Sequence, residues 1–120
     1  MPEREVRYMT IGKCISIAEG IAPSKHSREL KLRWISELEG KISVELFDKS
    51  PSDLSEYDAD SRDDLTLAVP FPFDQIYWMY LVAMLDLANG DNARYASSAG
   101  TFNSAFESYA KWVVRTGVGR

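Results

Sequence analysis

The densest apolar stretch runs through residues 69–88 (VPFPFDQIYWMYLVAMLDLA), and 76–85 within it is unbroken. A helix that is apolar on every side is a buried one. Its Tyr and Trp residues can bury ring area while satisfying one polar tip. The run is shorter than the roughly 20 apolar residues that a bilayer span needs. The pattern therefore predicts a central core helix with other helices around it. Asp74 is placed as its N-cap or first-turn acid, and Asn89–Gly90 as its end.

Upstream, Ile11, Cys14, Ile15 and Ala18 recur at helical spacing between a capping Thr10 and a terminating Gly20. Gly12 and Ser16 weaken the propensity of this first helix, which must then be held by packing. Pro23 keeps residues 21–25 out of a helix. Ser27 caps a second helix whose polar faces carry Glu29, Lys31, Arg33, Glu37, Glu39, Lys41 and Glu45. Its apolar stripe is Leu38, Ile42 and Leu46, entered through Trp34 and Ile35. Gly40 costs about 1 kcal/mol against Ala at mid-helix and signals a close approach or a bend. Pro51 ends the element at the latest.

Residues 50–64 break this pattern with six acidic side chains and few apolar anchors beyond Leu54 and Tyr57. They read as a solvated surface loop. Residues 65–69 (LTLAV) have β character, and Pro70 and Pro72 enforce an extended turn after them. One short strand finds a partner only in the N-terminal arm or in another subunit. Pairing between chains at this open edge is the reading that bears on function. Asp91 or Asn92 caps the last helix, over about 93–115. Tyr95, Ala99, Phe102, Phe106, Tyr109 and Val113 repeat there in steps of 4, 3, 4, 3 and 4. The seam is read as packing on the core helix rather than on a second subunit. Gly117 and Gly119 lie in a basic tail.

The fold expected is mainly all-α: a four-helix bundle-like domain with an acidic loop and a short extended segment before the central helix. Residues 1–120 form one domain, with a flexible arm at 1–9 and the acidic surface loop at 50–64.

Composition narrows the functional classes. A net charge of −4 and a pI near 5.0 argue against nonspecific DNA binding, which needs a basic face. Phe71, Phe73, Tyr77, Trp78 and Tyr80 have no interleaved Lys or Arg, so they are core or interface residues rather than a base-stacking platform. A single Cys14 forms no internal disulfide and fits a reducing compartment. No secretory leader or transmembrane segment is expected.

One Cys and one His cannot supply a four-ligand Cys/His zinc site. Asp58, Asp60, Arg62 and Asp64 hint at a calcium-loop cadence, but the glycine and glutamate it requires are absent, so no metal is assigned. His26 sits in a turn with no nucleophile elbow nearby, and no phosphate- or dinucleotide-binding glycine motif occurs. Cys14 reads as a small core residue. The expectation is a non-enzyme with no cofactor.

A resemblance goes further. It rests on Thr10-Ile11-Gly12-Lys13, on Leu32 through Ile42 (LRWISELEGKI), on Leu67-Ala68-Val69-Pro70 with Phe73-Asp74-Gln75-Ile76-Tyr77, and on Tyr95 with Phe102-Asn103. Over about residues 10–114 the chain resembles small head–tail connector (adaptor) proteins of tailed phages and prophages of Gram-positive bacteria. The resemblance implies a helical bundle that assembles as a homo-oligomeric ring in the virion neck. Its partners would be the portal protein, the tail-side neck proteins and its own copies, with DNA passing through the centre without sequence-specific binding. It implies no active site, and a stay in the host cytoplasm before assembly. Leu65, Leu67, Val69, Phe71 and Phe73 are the candidate interface residues, with the arm and the 50–64 loop beside them. The alternative reading, from the acidic loop, is a small regulatory module of inhibitor or DNA-mimic type acting on a host protein.

Overall fold

A computed structural model describes residues 5–58 and 60–117. The order is β1 (Tyr8–Thr10), α1 (Ile11–Ile21), α2 (Arg28–Phe47), a 3-10 turn (Pro51–Asp53), β2 (Thr66–Pro70), α3 (Gln75–Ala88) and α4 (Asn92–Thr116). The described residues are thus mostly helical, with four helices and a two-stranded sheet.

Local side chains start three of the helices. Thr10, Ser27 and Asp91 accept hydrogen bonds from the backbone N–H groups of Lys13, Leu30 and Arg94. Each satisfies an otherwise orphaned donor, worth about 1 kcal/mol. Asp74 stands at the N-cap position of α3, as expected, but its side chain makes no capping hydrogen bond. Asp48 and Gly117 end α2 and α4 in left-handed conformations.

The core helix is α3. Ile76, Tyr77, Leu81 and Leu85 are fully buried, and α1, α2 and α4 all pack on it. The seam on α4 faces α3 within the same chain, through Phe102, Tyr109 and Val113. Aromatic rings mesh there: Phe73 lies 5.4 Å from Tyr109 and 5.1 Å from Trp112, and Tyr80 lies 5.1 Å from Phe102. Such tilted pairs add about 1 kcal/mol each beyond their area.

Two polar faces depart from the sequence pattern. Lys31 of α2 is buried, and its ammonium pairs with Glu19 of α1. Burial lowers the Lys31 pKa. His26, in the link between those helices, is half-buried rather than free. Its Nε2 lies 3.1 Å from Asn89 Oδ1, and its ring stands edge-on to Trp34. The link is thereby stapled to the end of α3.

The arm is also ordered where it is described. Residues 1–4 of the expected flexible arm lie outside the described residues, but Tyr8–Thr10 pairs antiparallel with β2. The extended segment therefore finds its strand partner inside its own chain. The pairing is irregular: Tyr8 faces Pro70 and Thr10 faces Thr66, so β2 advances four residues while β1 advances two. The extra residues form a bulge.

Candidate interaction surface

The bulge sets which edge of the small sheet is closed. The Val69 amide donates to the Tyr77 hydroxyl at 2.9 Å, and the Ala68 amide to Glu39 Oε1 at 3.3 Å. The Tyr77 hydroxyl in turn donates to Glu39 Oε1 in a short hydrogen bond, and the Tyr57 hydroxyl to Glu39 Oε2 at 3.2 Å. One carboxylate on α2 thus gathers α3, β2 and the acidic segment. Burial first, then the Glu39 charge, pushes the Tyr57 and Tyr77 phenols well above their ordinary pKa. Neither phenol ionises near neutrality, so both serve as donors. Glu39 was placed by pattern on a polar face. Nothing local to it signals partners up to 38 residues away.

With β2 sealed by α2 and α3, the free edge of the sheet belongs to β1, which has no further strand neighbour among the described residues. β2 alternates: Leu67 and Val69 point inward and are 1% and 0% exposed, while Thr66 and Ala68 point outward. Tyr8, opposite Pro70, shares the outward face and is 48% exposed. Val6 and Phe71 flank it and are exposed as well. The Phe71 amide donates to the Arg7 carbonyl at 2.8 Å, and the Arg7 guanidinium lies 4.9 Å from the Phe71 ring centroid. That stacking holds an exposed ring in place against solvent.

The five residues expected to meet a neighbour therefore separate. Leu67 and Val69 fill this chain's own core, because the inward face of β2 must cover α3. Phe73 is half-buried against Tyr109 and Trp112. Leu65, at the margin of exposure, and Phe71 remain at the surface. Tyr8 and Val6 join them from the arm, which was expected beside the interface without any of its residues being singled out. The period-2 alternation of 65–69 carried the signal that Leu67 and Val69 share one face.

Beside this patch lies the acidic segment, which is at the surface as expected but tied down. Arg28 holds it twice, through an ion pair to Asp63 at 2.7 Å and a bond to the Ser61 carbonyl. The amides of Ile11 and Gly12 donate to the carbonyls of Leu65 and Asp63, each at 2.9 Å. Ser36 Oγ accepts from the Tyr57 amide at 2.8 Å, and Arg33 pairs with Glu56. Asp58 and Asp60 stay exposed. Among the described residues no group of three or more His, Cys, Asp or Glu is placed to hold a metal ion.

Cys14 is fully buried, and burial with the nearby Asp74 charge pushes its thiol up to about 12. It is protonated at neutral pH and is no nucleophile there. No helix among the described residues is long and apolar enough to cross a membrane. Compared with known proteins, the chain matches no family model, no curated protein and no solved structure.

Proposed function

We propose that this chain is a non-enzymatic structural protein of the tailed-phage neck, a head–tail connector that closes into a ring between portal and tail. The resemblance of residues 10–114 suggests the class. The observation that carries the reading is the exposed apolar patch of Val6, Tyr8 and Phe71 on the small sheet, whose strand β1 has no second strand neighbour among the described residues. An open strand edge with apolar side chains beside it invites another chain. A ring needs a head-to-tail contact, in which this patch meets a different surface on the next copy. The acidic segment suits a channel or collar that DNA must slide past, since like charge repels the phosphates. In this reading the protein is found in the virion neck, and in the host cytoplasm before assembly.

Co-sedimentation with portal rings from the same genome, followed by electron microscopy, tests it. A ring of added density on the tail-facing side is the expected result. A chain that stays in the supernatant as a monomer would overturn the proposal.

The regulatory reading draws on one specific feature: Arg28, Ser36 and Gly12 fix the acidic segment while Asp58 and Asp60 face solvent. A fixed array of carboxylates is what a DNA mimic presents. A tight one-to-one complex with a purified DNA-binding host protein, competed by duplex DNA, would favour it over the ring.

A further inference from the structure

A second feature lies among α1, α3 and α4 and shares no residue with the patch. A cavity of about 300 Å³ opens between the end of α1, α3 and the first turns of α4. Its apolar wall is Ile21, Trp78, Met79 and Val82. Its polar groups are Asp86, Arg94, Ser97, Ser98 and Thr101.

Asp86 is the unusual member, for it sits at 5% exposure in the apolar core helix. Its Oδ2 accepts from the Ser98 hydroxyl at 2.8 Å. Its Oδ1 has no hydrogen-bond partner among the described residues, and no cation pairs with it. Asp86 lines the cavity, and a carboxylate held by one neutral hydroxyl keeps accepting capacity for a cationic donor. Arg94 lines the same cavity, yet its guanidinium is turned out toward Asp91, at a long 3.9 Å. The cavity therefore offers a carboxylate at 5% exposure, a neighbouring guanidinium and an apolar wall between three helices. The complementary ligand carries an ammonium, a carboxylate and an apolar body.

We infer that this cavity binds a free α-amino acid with an apolar side chain, its ammonium on Asp86, its carboxylate on Arg94 and its side chain against Trp78 and Met79. Ser98 orients the Asp86 carboxylate and leaves Oδ1 for the ligand. Two charged contacts of opposite sign select a zwitterion over a simple amine or a simple acid. The site is independent of the assembly patch, and either can fail without the other.

Titration of the full chain with L-leucine, followed at the Trp78 indole N–H by NMR, tests this. Isoamylamine lacks the carboxylate, and 4-methylpentanoate lacks the ammonium. The expected result is saturable binding of leucine in the millimolar range or tighter, with each truncated probe at least about tenfold weaker. Asp86→Asn should weaken leucine binding about tenfold or more. Arg94→Glu, at an exposed position that leaves the fold intact, should reverse the preference in favour of isoamylamine. That second variant decides the matter if Asp86→Asn fails to fold. The inference is overturned if leucine gives no saturable shift, if isoamylamine binds as well as leucine to the unaltered chain, or if Arg94→Glu leaves the preference unchanged.

Discussion

Gly12 and Asp63 are in backbone contact across 51 residues of chain: the Gly12 amide donates to the Asp63 carbonyl at 2.9 Å. A Cβ on Gly12 would stand 2.8 Å from the Asp63 Cβ and 3.1 Å from its carbonyl oxygen. The glycine that weakens α1 as a helix is what lets the acidic segment close over its first turn. Gly12→Ala should lose about 1–2 kcal/mol, because overpacking against backbone outweighs the gain in helix propensity. Gly20→Ala in the same helix meets nothing within 4 Å. It should be neutral or gain up to about 1 kcal/mol. Urea unfolding of the pair checks the contrast, and equal effects would discard the close-approach account.

Tyr77→Phe should cost about 2 kcal/mol. The change leaves the Val69 amide without its acceptor and removes a donor from Glu39 in a buried place. Tyr57→Phe should cost less, since that ring is only half-buried. A double-mutant cycle of Tyr77→Phe with Glu39→Gln should show coupling above about 0.5 kcal/mol. Additive losses would mean the two groups act separately.

Stability should fall as pH rises above about 9–10. Cys14 has an ordinary value of 9.0 and the tyrosines 10.0, and burial raises Cys14, Tyr57, Tyr77, Tyr80 and Tyr109 in the folded chain. Tyr109 and Cys14 reach about 12. Above the ordinary values the unfolded chain sheds these protons first, so unfolding is favoured as pH climbs. Each group still protonated only in the fold removes about 1.4 kcal/mol per pH unit. Lys31, lowered by burial, acts in the opposite sense, and only below its ordinary 10.5. Chemical denaturation from pH 7 to 11 measures the slope. Full tyrosinate absorbance near pH 10 in a chain that is still folded would contradict the account.

Phe71→Ser and Phe73→Ser should behave differently. Phe71 is 57% exposed, so its loss should change stability by under about 0.5 kcal/mol while reducing self-association or portal binding. Phe73 packs on Tyr109 and Trp112, so its loss should cost about 3 kcal/mol. Analytical ultracentrifugation and thermal unfolding separate the two. Unchanged assembly of the Phe71→Ser chain would remove the patch from the interface.

Much of the helical architecture was legible without coordinates. The stripe of α1, the apolar run of α3 and the seam of α4 are periodic over many residues, and the caps at Thr10, Ser27 and Asp91 lie three residues from the amides they satisfy. Helix formation is decided by neighbours three or four positions away, so a linear pattern holds that information. Less of the candidate surface was legible. Leu67 and Val69 looked available because a lone short strand was read as an edge for pairing between chains, whereas the inward face of β2 covers this chain's own core.

The sequence by itself determined four helices, the order in which they occur and the apolar faces they must hide. The tertiary structure alone decided that β2 pairs with β1, that Gly12 admits Asp63, and that Glu39 and Lys31 leave their polar faces for buried partners. It also decided that Asp86 and Arg94 line one cavity. The physical reason is range. A helix closes its own hydrogen bonds within one turn, whereas the cost of a buried charge and the fate of a strand edge depend on whatever distant segment folds over them.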